Sequence, residues 1–131
     1  MNDWMEAYWD AVARQDEAAL RAFFAPDALI RWHCTNEQFD LDGFLRANCD
    51  YPGSWNGKLE RMEPTADGFC TAARVWSPEF SCHVASFFHM NENGLIQMLD
   101  EYWGDDGPAP VWRQRMNISR PINQEEGKQD D

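Results

Sequence analysis

The chain has 131 residues, a length typical of one domain, and a formal net charge of −12. Such a charge argues against nucleic acid or an anionic membrane as a partner, because both repel acidic surfaces. No apolar run approaches the ~20 residues that span a bilayer, and the N-terminus lacks the basic and apolar regions of a signal peptide. We therefore expect a cytoplasmic protein.

Aromatic residues are abundant, with seven Trp, eight Phe and three Tyr. Tryptophan lines pockets and interfaces as well as cores. Core packing explains any single ring, but so many rings are hard to pack in a short chain without leaving a cavity. The composition favours a domain built around a pocket.

Helices are predicted in the first half of the chain. Asp3 is expected to cap the first helix, and Asp16 to cap a second helix that Pro26 ends. Asp40 is expected to cap a third helix that runs through Cys49. Each cap rests on a short acidic side chain that accepts a hydrogen bond from the first helical turn.

Alternating apolar positions predict the strands. They are Ala28–Cys34, Lys58–Glu63, Phe69–Ser77, Phe80–Asn91 and Leu95–Trp103. Helices followed by antiparallel strands indicate an α+β fold. We expect a strongly curved antiparallel sheet, with about three N-terminal helices covering its concave face and a conical cavity between the layers.

The domain is predicted to span residues 1–115. From about Met116 onward the sequence loses its period and becomes polar, and it ends in several acidic residues. Residues 116–131 are therefore expected to form a flexible acidic tail.

The last predicted strand carries two adjacent carboxylates, Asp100 and Glu101. Neighbouring side chains on a strand point to opposite faces, so one carboxylate should face inward beside Tyr102 or Trp103. Burial against aromatic rings raises the pKa of a carboxyl, which is a common way to hold a proton donor or acceptor near neutral pH. The pattern indicates a candidate acid–base group.

The chain resembles the nuclear transport factor 2-like superfamily, in its SnoaL-like branch, over about residues 3–115. The segments that carry this resemblance are Tyr8–Asp16, Phe23–Ala28, Ser86–Met90 and Gly94–Trp103. Motifs shared with a group of bacterial proteins, mostly without assigned activity, are Arg31–His33, Asn36–Phe39, Arg46–Cys49 and Glu101–Asp105. The resemblance implies a cone-shaped, cystatin-like fold, which hosts isomerases, cyclases, dehydratases and non-catalytic binders.

Ketosteroid isomerase is a well-understood relative in that superfamily, and its pocket residues match this chain only in part. Tyr8 matches its hydrogen-bonding tyrosine, but Trp32 stands in place of its basic aspartate and Ser86 in place of its protonated aspartic acid. That activity is not expected here. The same resemblance places Glu101 and Trp103 on the concave face of the sheet.

The candidate catalytic residues are Glu101, Tyr8 and His33. Glu101 would move a proton at a carbon beside a carbonyl, Tyr8 would stabilise the developing oxyanion, and His33 is a further candidate base. The alternative is structural: Glu101 would form a buried ion pair with Arg31 or Arg74, or belong to a buried polar network.

The expected ligand is a small hydrophobic or aromatic molecule. The candidate ligand-binding residues are Trp9, Trp32, Trp55, Trp76, Ser86, Phe88 and Trp103. Three hypotheses remain open: cofactor-free acid–base catalysis of isomerase, cyclase or dehydratase type, a non-catalytic binding module, and an interaction domain whose pocket is filled by its own side chains. Trp55, in a turn-rich loop, either covers the pocket mouth or packs in a dimer interface.

No metal site and no cofactor are expected. In His33-Cys34 and Cys82-His83 only one member of each pair can face a common centre, and two ligands do not close a zinc site.

A homodimer is expected through the outer face of the sheet. His83, Ala85, Phe87 and His89 form a half-apolar strip there, and exposure to solvent explains such a strip poorly.

Overall fold

A computed structural model describes residues 2–123, so the last eight positions of the predicted acidic tail, 124–131, lie outside the described residues. The helices are α1 (Asp3–Arg14), α2 (Glu17–Arg21), α3 (Leu41–Cys49) and α4 (Val111–Arg115). Within residues 2–123, no helix combines the length and the apolar character needed to cross a bilayer.

Short polar side chains cap the first three helices. The prediction for α1 was wrong by one residue, because Asn2 rather than Asp3 accepts the hydrogen bond from the Met5 backbone N–H, at 3.1 Å. The predictions for α2 and α3 are confirmed: the carboxylates of Asp16 and Asp40 each accept from the backbone N–H three residues further on. These caps satisfy N–H groups that have no partner within the helix.

Six strands form one curved sheet in the order β2-β1-β6-β5-β4-β3. They are β1 (Phe24–Trp32), β2 (Glu37–Asp40), β3 (Asn56–Thr65), β4 (Gly68–Trp76), β5 (Ser81–Met90) and β6 (Ile96–Asp105). Neighbouring strands run antiparallel except β1 and β6, which are parallel. The predicted α+β class is confirmed, with a mixed sheet because of this one parallel pair.

The predicted boundary between α2 and the first strand was wrong. The helix ends at Arg21, and β1 begins at Phe24, so Pro26 lies within the strand rather than at the helix end. The pairing of β1 with β6 shifts register between Phe24 and Leu29. An irregular stretch of this kind tolerates a proline, which cannot donate a ladder hydrogen bond.

The first strand also ends earlier than predicted, and the short strand β2 was missed. The chain turns through a 3-10 helix, His33–Thr35, and then through Asn36, whose φ of 57° is left-handed. Asparagine adopts this conformation more readily than most residues. The turn sends β2 back antiparallel to β1, with Glu37 opposite Trp32.

The core lies between the helices and the inner face of the sheet. Along β5 the inner residues Val84, Ser86 and Phe88 are buried while Phe87 is 38% exposed, which confirms the predicted alternation of faces. The largest buried side chains are Trp9, Tyr8, Phe44, Phe88, Met5 and Leu20. The helices therefore bring aromatic rings directly onto the inner sheet residues.

We predict that Asp40→Ala lowers the free energy of unfolding by about 1 kcal/mol, because α3 loses its N-terminal cap. Urea unfolding followed by circular dichroism measures this change. Asp40→Asn is the matched control, since asparagine caps as well as aspartate and should keep stability near that of the wild type. Equal losses in both variants would contradict the capping role.

Candidate functional site

A cavity of about 450 Å³ opens at one end of the sheet. Its lining residues are Val12, Gln15, Trp32, Cys34, Thr35, Glu37, Asn48, Tyr51, Trp55, Val75, Cys82, Trp103 and Asp105. Strand pairing explains why distant residues meet there. Glu37 lies opposite Trp32, and Cys82 lies opposite both Val75 and Asp105, so the ends of five different strands meet at the same end of the sheet.

Indole and phenol rings form most of the apolar wall. Trp32 ends β1 and Trp103 lies near the end of β6, with their ring centroids 6.5 Å apart at 73°. Trp55 immediately precedes β3, and Tyr51 follows α3; these two rings meet edge to face at 5.5 Å. The first pair stands against the sheet, and the second pair stands at the loop side of the opening.

Glu101 is buried behind the two sheet-side indoles, with 2% of its surface exposed. The Trp32 indole N–H donates to its Oε1 at 3.1 Å, and the Ser86 hydroxyl donates to its Oε2 at 2.6 Å. The alternation along β6 turns this side chain inward. The alternative of an ion pair with Arg31 is not borne out, because Arg31 approaches Asp100 on the outer face instead, at 4.0 Å.

Burial raises the pKa of Glu101 from its usual 4.5 to about 7. The hydrogen bonds from Ser86 and Trp32, and the nearby indole N–H of Trp103, act in the opposite direction, because these donors favour the charged carboxylate. The Trp103 indole N–H is buried without a partner at good hydrogen-bond geometry, so we regard it as a nearby dipole rather than a third full hydrogen bond. A carboxyl poised near pH 7 can exist in either protonation state.

Tyr8 lies in the core and is not among the cavity-lining residues. Its ring packs edge to face with Trp9 at 5.3 Å, Phe23 at 5.4 Å and Phe88 at 5.2 Å. Burial, and after it the negative charge of Glu101, raises the pKa of the phenol. Tyr8 and Glu101 therefore share one low-dielectric interior, but the phenol is enclosed by rings.

His33 lies on the outer face of the sheet, away from the cavity. Its ring stacks on Tyr102 with centroids 4.5 Å apart and planes 9° apart. Its Nε2 lies 2.8 Å from Asp100 Oδ1, while His89 Nε2 lies 3.0 Å from Asp100 Oδ2. Burial alone would raise the pKa of Asp100, but the contacts with both histidines outweigh it and lower that pKa.

Three of the predicted ligand-binding residues, Trp32, Trp55 and Trp103, line the cavity. Others lie outside its lining: Trp9, Ser86 and Phe88 belong to the buried interior, and Trp76 stacks under the guanidinium of Arg74 at 4.8 Å. The predicted dimer strip, His83, Ala85, Phe87 and His89, lies on the face opposite the cavity. That a second copy covers this strip stays a prediction.

Known structures share this arrangement of helices and strands, although no family model and no curated protein matches the sequence. A candidate ketosteroid isomerase from Kribbella flavida aligns with a TM-score of 0.74 and 18% identity, over 90% of this chain and 87% of that one. An NTF2-like protein of unknown function from Burkholderia xenovorans aligns with a TM-score of 0.72 and 19% identity, over 90% and 91%. The chain has the nuclear transport factor 2-like fold.

A third structure with this fold carries a small molecule. It is a hypothetical protein from Catenulispora acidiphila with a ketosteroid isomerase-like fold, in complex with trimethylamine. It aligns with a TM-score of 0.65 and 13% identity, over 78% of this chain and 85% of that one. The fold predicted from the sequence is thereby confirmed, and identities this low show the fold alone.

Several lining residues were missed by sequence reasoning. Gln15 ends α1 in a left-handed conformation and donates from Nε2 to the carbonyl oxygens of Asn48, at 2.9 Å, and Tyr51, at 2.6 Å. It thereby ties the loop after α3 to the first helix. Glu37 reaches the opening by pairing with Trp32, a signal that becomes readable only once the β1–β2 turn is known. Asp105 reaches it because β6 continues two residues beyond Trp103 and pairs there with Cys82.

The two His–Cys dipeptides do not form a metal centre in the described part of the chain. Residues 2–123 contain no group of three or more His, Cys, Asp or Glu side chains arranged to hold a metal ion. Cys34 and Cys82 line the cavity, while His33 and His83 pair with carboxylates outside it. Burial raises the pKa of the Cys82 thiol to about 11, so it stays protonated near neutral pH.

We predict that Glu101→Gln flattens the pH dependence of stability. The folded state holds the Glu101 proton more tightly than the unfolded state, so the wild type should lose stability as pH rises from about 4.5 through about 7. Urea unfolding at pH 5 and pH 8 should show roughly 2–3 kcal/mol more loss for the wild type than for the variant. Glu92→Gln, on an exposed turn, should behave like the wild type.

The raised pKa of Glu101 would be contradicted if the free energy of unfolding changed equally between pH 5 and pH 8 in the wild type and in Glu101→Gln. Other titrating groups, including His89 and Asp100, are common to both proteins and cancel in the comparison.

Proposed function

We propose that this protein binds one small organic molecule in the aromatic cavity. The observation that carries the proposal is the cavity itself, about 450 Å³ in volume and walled by Trp32, Trp55, Trp103 and Tyr51. Small-molecule sites in proteins have volumes of roughly 300–1,000 Å³ and are mostly apolar, with a few polar groups that fix orientation.

The walls are held in place before any ligand arrives. Trp32 is fixed by its hydrogen bond to Glu101 and by an edge contact with Phe39 at 4.7 Å. The Trp55 indole N–H donates to the carbonyl oxygen of Pro52 at 3.1 Å. Fixed rings lower the entropy lost on binding, so a rigid pocket of this kind favours a ligand-binding role over mere filling of a core.

The Catenulispora acidiphila structure supports the same function, because a protein of this fold was solved with a small amine bound. The supported ligand class is thus a small organic compound, in line with the hydrophobic or aromatic molecule expected from the composition. Its chemical character is developed in the next subsection.

Cofactor-free acid–base catalysis is the second candidate function. The observation that favours it is a carboxyl with a pKa of about 7 that already has two oriented hydrogen-bond donors. Against it, Trp32 and Trp103 line the cavity whereas Glu101 does not. Glu101 would touch a substrate only after one indole turned aside, so binding is the function that we favour.

We predict that the neutral probe N-phenyl-1-naphthylamine binds once per chain, with a rise in its fluorescence. Trp55→Ala should weaken this binding about tenfold, because a large part of the apolar wall is lost. Trp76→Ala is the matched control: it removes the same ring from a position outside the cavity and should leave the affinity unchanged. The proposed site would be contradicted if neither variant lost affinity for the probe, or if both variants lost it equally.

Glu101→Gln separates binding from catalysis. If the protein only binds, the variant should keep the affinity for the probe within about threefold, because Gln still accepts the Trp32 hydrogen bond. Mass spectrometry of small organic compounds recovered after incubation gives the second readout. A compound altered by the wild type and left intact by Glu101→Gln would establish the catalytic alternative instead.

A further inference from the structure

The charged groups at the cavity are all acidic. Among the described residues that line it, those that carry a formal charge are Glu37 and Asp105, and the same lining contains no Lys, Arg or His. Glu37 and Asp105 are both exposed, whereas the three lining indoles are half-buried. The cavity thus combines an apolar aromatic interior with a negatively charged rim.

The fold places one acid close to each of the sheet-side indoles. Glu37 starts β2 directly opposite Trp32, and Asp105 ends β6, two residues beyond Trp103. The Thr35 hydroxyl donates to Glu37 Oε1 at 2.7 Å and orients that carboxylate. A ligand resting between the indoles would therefore meet one carboxylate beside Trp32, from β2, and one beyond Trp103, from β6.

A tryptophan ring attracts a cation electrostatically, in addition to offering it an apolar surface. The face of an indole ring carries negative potential and attracts ammonium groups, and methylated ammonium ions are bound in proteins by cages of several aromatic rings. Here three indoles and the phenol of Tyr51 line the same cavity. The rings supply the cage, and the carboxylates supply the long-range attraction.

We infer that the ligand of this cavity is an organic ammonium cation, whose alkylated nitrogen lies among the indole rings with Glu37 and Asp105 balancing its charge. This inference rests on the proposed function and narrows it. A neutral aromatic compound would leave the acidic rim unused, and an anion would be repelled both by the rim and by the net charge of −12. A bare metal cation lacks the apolar surface that the rings match.

Two probes with nearly the same shape, one charged and one neutral, show how much the charge of the ligand contributes to binding. Acetylcholine carries a trimethylammonium group, and 3,3-dimethylbutyl acetate replaces that nitrogen with a neutral carbon. We expect acetylcholine to bind at least about tenfold more tightly, measured by calorimetry or by tryptophan fluorescence at pH 7.5 and low salt. Raising the ionic strength should weaken the binding of acetylcholine and leave the binding of the neutral ester unaffected.

Charge-removing variants locate the effect at the rim. Glu37→Gln and Asp105→Asn should each lower the affinity for acetylcholine roughly threefold to tenfold. Each should change the affinity for the neutral ester by less than about twofold. Glu92→Gln is the matched control, since it removes one negative charge from the β5–β6 turn at the opposite end of the sheet. This variant should leave the affinity for both probes unchanged.

Two results would overturn the inference while the proposed function stands. The first is that the neutral ester binds as tightly as acetylcholine. The second is that Glu92→Gln lowers the affinity for acetylcholine as much as the two rim variants do. The attraction would then come from the net charge of the protein and not from the rim. If acetylcholine, the neutral ester and N-phenyl-1-naphthylamine all fail to bind, the inference and the proposed function fail together.

Discussion

The hydrogen bond from the Trp32 indole to the buried carboxylate of Glu101 joins the interior of this protein to the wall of its cavity. A carboxylate that is 2% exposed is costly unless its oxygens are satisfied, and Trp32 and Ser86 provide that satisfaction. The same contact fixes the angle of an indole that a ligand would touch. This one hydrogen bond between β1 and β6 therefore contributes both to stability and to the shape of the cavity.

The strand β6 serves two faces with adjacent residues. Glu101 and Trp103 point inward, toward the cavity side, while Asp100 and the 46% exposed Tyr102 point outward. Asp100 joins His33 and His89 across the outer face, and His89 continues to Asp67 at 2.9 Å. A substitution that shifted β6 by one residue would exchange the two environments and place the wrong carboxylate behind Trp32.

Local patterns were enough to predict much of this arrangement. The period of two along β6 predicted that one of Asp100 and Glu101 faces inward, and the family resemblance assigned that place to Glu101 and Trp103. The caps Asp16 and Asp40 followed from residue type alone. The rim was harder, because Glu37 reaches the opening only through the left-handed turn at Asn36 and the short strand that follows. The parallel pairing of β1 with β6 links residues far apart in sequence, which no local period reveals.

Cavity-lining residues could not be separated from core residues by type, and Trp9 and Trp103 show why. Their rings are chemically identical and lie 6.4 Å apart, yet Trp9 is 1% exposed within the core while Trp103 lines the cavity. The difference arises because Trp9 lies on the buried face of α1, which packs against the sheet, whereas Trp103 lies near the end of β6, where the strands leave an open space. Which ring remains uncovered is decided by how distant elements pack, and that packing also holds Glu101 beneath the indoles.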